Sequence, residues 1–224
     1  MYNEDHIQEN VRIEQTQRGS FITFEGIDGS GKTTQLSGIA EYLENQGKEV
    51  LKLREPGGTS IGEQIRTILL SRGNMAMSVE TELMLFAAAR AQLVREVIEP
   101  ALAEGKWVLC DRFMDSTTVY QGYGRQIDLQ LIGQLNSIAV GRCKPDLTLL
   151  FDLSVEAAGA RLAARSEKSD RLDLESKSFA ERIRKGYLEL ASAEPSRFKV
   201  IDAERSSADI EKQIKSILRE GIGI

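Results

Sequence analysis

Short apolar runs separated by longer amphipathic stretches set the rhythm of this chain. The runs are Phe21 to Glu25, Glu49 to Leu53, Trp107 to Cys110, Leu147 to Asp152 and Phe198 to Ile201. Each is brief and mostly apolar, as strands covered on both faces are. Between the first and third runs, Leu36, Ile39, Ala40 and Leu43, then Ile61, Ile65, Ile68 and Leu69, recur at the three- and four-residue spacing of a helical face. Gly47 and Gly73 stand where C-terminal caps belong. The longest helical stretch runs from Val79 to about Glu104, with Pro100 predicted to kink or break it and Gly105 to close it. Further helices are predicted after Ser154 and over Ser178 to Ala193, and Ser206 with Asp209 forms a capping box opening the last one. Strands alternating with helices predict an α/β fold, a five-stranded parallel sheet flanked by helices.

Two stretches fall outside that rhythm. Residues 1–19 are rich in Asn, Glu, Gln and Arg with little apolar periodicity, and read as a flexible N-terminal extension. Arg165 to Lys177 carries almost no apolar residue and reads as an exposed, mobile segment between helices. No repeat or linker interrupts residues 20–224, which form a single domain of ordinary size.

Charge narrows the function. With 29 basic against 34 acidic side chains the net charge is -5, so sequence-independent binding to nucleic acid is disfavoured, and any phosphate must be held locally. A lone histidine, His6 in the extension, argues against histidine triads, zinc hydrolysis and haem ligation. Cys110 and Cys143 read as buried thiols of a reducing compartment. No apolar run approaches the roughly 18 residues that span a bilayer, so the expectation is a cytoplasmic protein without a membrane partner.

The strongest chemical signal follows the first strand: Gly26, Ile27, Asp28, Gly29, Ser30, Gly31, Lys32, Thr33. This is a complete phosphate-binding loop, in which backbone amides converge on an anion at the start of the next helix. Lys32 is placed to reach β and γ phosphates, and the Thr33 hydroxyl to ligate Mg2+. A carboxylate inside such a cradle is unusual. Asp28 either meets a hydroxyl of a second substrate or simply favours the positive end of the helix. Asp111 and Arg112 end the third run, where open α/β sheets place ligands. They suit a magnesium shell and a bidentate phosphate contact, with an exposed ion pair as the plainer alternative. Arg54, Arg90, Arg161, Arg165 and Arg171 fall in loops or loop-facing turns and together suggest anion clamping, although any one of them alone reads as a solvated surface group. The guanine-specific Asn-Lys-x-Asp motif of signalling switches is missing; Glu167-Lys168-Ser169-Asp170 does not match it.

From about residue 19 to the C-terminus the chain resembles the bacterial thymidylate kinases. The likeness rests on Phe21-Ile22-Thr23-Phe24-Glu25-Gly26, Arg54-Glu55-Pro56-Gly57-Gly58-Thr59, Leu85-Phe86-Ala87-Ala88 with Arg90, Asp111-Arg112-Phe113 continuing to Ser116, Thr117, Tyr120, Gln121 and Gly122, Lys144-Pro145-Asp146-Leu147-Thr148, and Asp170-Arg171. The resemblance implies a three-layer fold of the P-loop NTPase type, ATP as co-substrate, dTMP as acceptor and a homodimer. It implies that Phe86, otherwise a plain core residue of an amphipathic helix, stacks on thymine, and that Arg90 bonds its edge. Arg54 and Arg112 grip the acceptor phosphate, Asp28 takes the 3'-hydroxyl, Tyr120 excludes a 2'-hydroxyl, and Thr117 and Gln121 face the base. The resemblance also implies a mobile lid over about 161–177, and because Gly29 occupies a loop position that is basic in the eukaryotic type, its candidates Arg161, Arg165 and Arg171 are expected at the transferred phosphoryl, Arg165 before Arg171. Ala89 and Leu93 depart from the Asp and His of many relatives, which affects polar contacts at the helix edge. Rival readings are a kinase for another nucleoside monophosphate or a deoxynucleoside, and a non-transferring nucleotide-binding module; Phe86, Arg90 and Tyr120 discriminate the first.

Overall fold

The structure, a computed structural model, describes residues 18–164, 171 and 176–222. Strands β1 (Phe21–Glu25), β2 (Val50–Arg54), β3 (Trp107–Asp111), β4 (Leu147–Asp152) and β5 (Phe198–Asp202) form one parallel sheet in the order β2-β3-β1-β4-β5. In register, Phe24 and Arg54 both pair with Asp111, so the carboxyl ends of β1, β2 and β3 stand side by side. β1 lies between β3 and β4, which makes its carboxyl end a switch point where a crevice opens.

Side-chain alternation explains why the inner strands β1, β3 and β4 are apolar on both faces, while the edge strands β2 and β5 are only partly buried. Phe21 joins Val108 and Cys110 in one cluster with Leu93, Ile98 and Leu102. Ile22 and Phe24 enter the opposite cluster with Leu109, Leu149, Ile39, Leu43, Ile183 and Ile214. Helices α1 (Lys32–Asn45), α8 (Lys177–Ala193) and α9 (Ser207–Ile222) cover the second face. α3 (Val79–Leu93) and α4 (Glu99–Ala103) cover the first, with α2 (Ser60–Leu70) and α6 (Leu129–Val140) packed on α3. A fully buried side chain such as Leu43 contributes about 1.5–3 kcal/mol by leaving water. The core also holds a polar knot. Arg197 donates to Asp115 at 2.6 and 2.9 Å and to Thr148 at 2.7 Å, all of them buried.

Several elements differ from their predicted form. The helix predicted from Val79 to Glu104 is α-helical to Leu93, widens into a π-turn over Val94–Ile98 and resumes as α4, whose early Pro100 needs no amide partner there. Gly47 and Gly105 close their helices with positive φ of 76° and 82°. Gly73 does not; it sits in a short 3-10 turn, Arg72–Asn74, beyond a break at Ser71. The pattern gave no signal for α5 (Met114–Thr117), the π-turn Thr118–Gly124 that follows it, or α6, where Leu129, Leu131 and Ile138 are exposed and blur the face. α7 (Val155–Ala163) follows Ser154, and Ser206 caps α9 through the Asp209 amide at 3.2 Å. The domain begins earlier than composition suggested. Gly19 N–H donates to the Leu102 carbonyl at 2.8 Å and Arg18 pairs with Asp146 at 2.9 Å. Residues 1–17, and of the predicted lid 165–170 and 172–175, lie outside the described residues; the expectation for Arg165 falls there.

Candidate active site

The loop Gly26–Thr33 turns directly from β1 into α1. Gly26 has φ of 139°, and a Cβ on it would stand 2.5 Å from the Phe151 carbonyl oxygen, so only glycine brings the loop this close to β4. α1 has no side-chain cap at Gly31 and no acidic residue in its first turn, which leaves its first amides for an anion. Lys32 is buried, and its ammonium donates to the Gly26 and Ile27 carbonyls at 3.0 and 2.9 Å. Burial, then the positive charge of Arg112, pushes its pKa down to about 8. Thr33 Oγ1 donates to Asp111 Oδ2 at 2.7 Å, pairing the two groups assigned to a metal.

The turn after β3 is held from below by Glu25. This buried carboxylate accepts from the Phe113 amide at 2.7 Å, Ser116 Oγ at 2.7 Å and the Tyr187 hydroxyl at 2.8 Å. Burial, with the neighbouring Asp115 charge, pushes its pKa up to about 7 despite those bonds. The clamp fixes Arg112 in left-handed backbone geometry, φ 68°, and aims its guanidinium across the cleft. Arg112 Nη2 donates to Asp28 at 2.8 Å and the guanidinium lies 5.0 Å from the Tyr120 ring centre, while the Tyr120 hydroxyl reaches Asp28 at 3.4 Å. Burial works against the ionised Asp28, yet Arg112 and Lys32 hold its carboxyl well below the usual carboxylate range. Asp28 thus faces Arg112 and Tyr120 across the cleft.

One cavity of about 740 Å³ joins these groups to Arg54, Phe86, Thr117 and Gln121. Arg54, at the end of β2, donates to Glu63 and the Pro56 carbonyl, both at 2.9 Å. The Glu55–Pro56 peptide is cis. Phe86 is partly buried in the cavity wall. Arg66, which sequence reasoning missed, also lines the cavity and donates to the Pro56 carbonyl at 2.9 Å. It sits between Ile65 and Ile68, where the apolar spacing of α2 hides it.

Three arginines are placed differently from expectation. Arg90 lines the cavity, but all five of its N–H groups are engaged: Glu55 at 2.8 and 2.5 Å, Thr117 at 2.9 Å, Asn136 at 3.0 Å and the Phe113 carbonyl at 3.1 Å. It therefore braces the pocket from behind instead of offering a free donor to a base edge. Arg171 does not face the phosphate loop. Its buried guanidinium binds the Leu69 carbonyl at 2.8 Å and Glu82, ties to α2 and α3 on the opposite wall, and this placement opposes a role at the transferred phosphoryl. Arg161 braces the loop from outside, donating to the Gly29 carbonyl at 3.3 Å and the Ala203 carbonyl at 2.9 Å. Glu82, unnoticed in the sequence, gathers Gln121 at 3.2 Å and Arg125 at 3.1 Å besides Arg171.

The profile of the thymidylate kinase family matches residues 24–214. The chain belongs to that family. The thymidylate kinase of Geobacter sulfurreducens is 56% identical over 189 residues, covering 82% of this chain and 89% of its own length. That of Desulfosudis oleivorans is 53% identical over 196 residues, 85% of this chain and 92% of its own. The crystal structure of thymidylate kinase from Ehrlichia chaffeensis superposes with a TM-score of 0.72 at 36% identity, covering 90% of this chain and 99% of that one. As a thymidylate kinase family member the chain is an ATP-using phosphotransferase that phosphorylates dTMP to dTDP.

Proposed function

We propose that the cleft performs this reaction by direct in-line transfer, with ATP on the Gly26–Thr33 loop and dTMP against Phe86, Arg54 and Arg112. The observation that carries the reading is the convergence of two anion-binding sets, the loop with Lys32 and the Arg112–Asp28 pair, in one cavity. The acceptor is a phosphate monoester with a second pKa of about 6, so near neutral pH its oxygen is already an anionic nucleophile and no general base is needed. What the protein supplies is alignment of two polyanions and neutralisation of charge on the moving phosphoryl group. Lys32 serves the β and γ phosphates, and Arg112 serves the acceptor phosphate. Asp28 suits the 3'-hydroxyl, and Tyr120, stacked beneath Arg112, occupies the space a 2'-hydroxyl would need. Thr117 and Gln121 face the base, with Arg90 fixing Thr117.

The hydroxyl of Thr33 and the carboxylate of Asp111 are hard oxygen donors 2.7 Å apart, the chemistry Mg2+ favours. Among the described residues no group of three or more His, Cys, Asp or Glu is placed to hold a metal ion. When bound, Mg2+ supplies charge neutralisation to the donor phosphates.

Homodimerisation is part of this reading. Neighbouring helices α2, α3 and α6 expose Ile61, Ile68, Met84, Leu131 and Ile138, an apolar face suited to a second copy of the chain. Sedimentation velocity of the purified protein tests it. Free, buried Cys110 and Cys143 fit a cytoplasmic setting, and no described helix is long and apolar enough to cross a membrane. The substrate assignment is tested by coupled ADP release with dTMP, UMP, CMP, AMP and GMP offered separately. Strong turnover with dTMP alone is expected, and equal turnover with UMP overturns the role of Tyr120.

A further inference from the structure

Gln121 is 2% exposed in the cavity wall, and its amide is not symmetric in its partners. Nε2 donates to Glu82 Oε1 at 3.2 Å, whereas Oε1 is buried and has no hydrogen-bond partner. A carboxylate only accepts, so the amide must turn its NH2 toward Glu82 and leave its carbonyl oxygen unpaired. Glu82 is suited to the task. It lies in the first turn of α3, where an anion is favoured, and is held between Arg125 and Arg171. Burial opposes its charge, but the bonds from those arginines hold the carboxyl below the usual range, so it stays ionised at neutral pH.

We propose that Glu82 is a positioning residue for acceptor specificity: by holding Gln121 Nε2 it presents Oε1 as an acceptor for the N3–H of a 2,4-dioxopyrimidine and against cytosine, whose N3 is itself an acceptor. The inference rests on the reading that the acceptor base lies against Phe86 and Gln121. With dTMP, the N3–H satisfies the buried Gln121 oxygen. With dCMP, two lone pairs meet and the buried oxygen stays unpaired, a mismatch that sites built on such bonds reject strongly. Turning the amide over could rescue dCMP, and Glu82 is the group that forbids the turn.

The test measures kcat/KM for dTMP and dCMP, and equilibrium binding of each by calorimetry, in the full-length enzyme. Glu82→Gln, which can accept or donate, frees the Gln121 amide; Glu82→Asp keeps the charge between the arginines but withdraws the carboxylate. Both are expected to lower the dTMP:dCMP preference by roughly 10- to 100-fold, through KM and acceptor affinity, with the KM for ATP unmoved. The aspartate variant carries the test where the glutamine variant does not fold. Arg171→Ala separates positioning from plain stability, since it cuts the same cluster without touching the Gln121 bond. Its preference is expected to stay at the wild-type value, and a matching fall overturns the proposal. An unchanged preference in a folded Glu82 variant overturns it as well. Gln121→Ala distinguishes the two layers: if it leaves dTMP affinity intact, the base does not lie at Gln121 and the underlying reading fails; if it weakens dTMP while Glu82 variants keep their preference, only the role of Glu82 fails.

Discussion

Lys32 shows how much chemistry one side chain carries here. Its ammonium is buried and bonded to two loop carbonyls, so it is aimed before any phosphate arrives. Lys32→Met keeps most of the stem and removes the charge. Turnover should fall by about 10²-fold or more, as for loss of a transition-state charge contact, while the thermal melt shows a folded protein. Glu25 makes a different prediction. Its folded pKa of about 7 exceeds the ordinary 4.5, so the folded protein binds more protons than the unfolded chain between those values. Stability therefore falls as pH rises from 4.5 to 7 as this proton is lost. Melts of the wild type and Glu25→Gln at pH 5 and pH 8 test this; the wild type should lose more on going to pH 8, and parallel losses would refute it.

At the scale of elements, the phosphate loop was legible because its signal is local: eight consecutive residues placed between an apolar run and an amphipathic helix. The inner strands β1, β3 and β4 were legible for the same reason, since burial on both faces writes itself into each run, whereas the edge strands β2 and β5 are partly exposed. What could not be read are contacts made by the fold alone. Glu25 meets the Phe113 amide 88 positions away, and Glu82 meets Arg171 89 positions away. Arg90 was visible as a residue, but its saturation by Glu55, Thr117 and Asn136 depends on three elements converging, so the sequence suggested a free donor where the fold makes a brace. α6 escaped notice because its outward apolar residues spoil the helical stripe. The tight junction of loop and sheet gives the element-scale prediction. Gly26→Ala places a Cβ against the Phe151 carbonyl at a φ of 139°, so the loop must shift. A loss of about 1–3 kcal/mol in urea unfolding is expected together with weakened ATP binding by calorimetry.

Across the whole molecule, the buried Asp115–Arg197 pair joins α5, just beyond the turn after β3, to the residue before β5. Removing one partner strands a charge in the core, and Asp115→Ala should cost about 3–5 kcal/mol in denaturant unfolding. The alternation at Phe21 and Ile22 has a longer reach. The helix bearing the phosphate loop is rooted in the oily layer around Ile39 and Leu43, and the helix bearing Phe86 in the layer around Leu93 and Ile98. On the proposed assignment, a lineage can therefore drift in one layer and retune its grip on the donor nucleotide while the acceptor's seat is inherited unaltered, or the reverse.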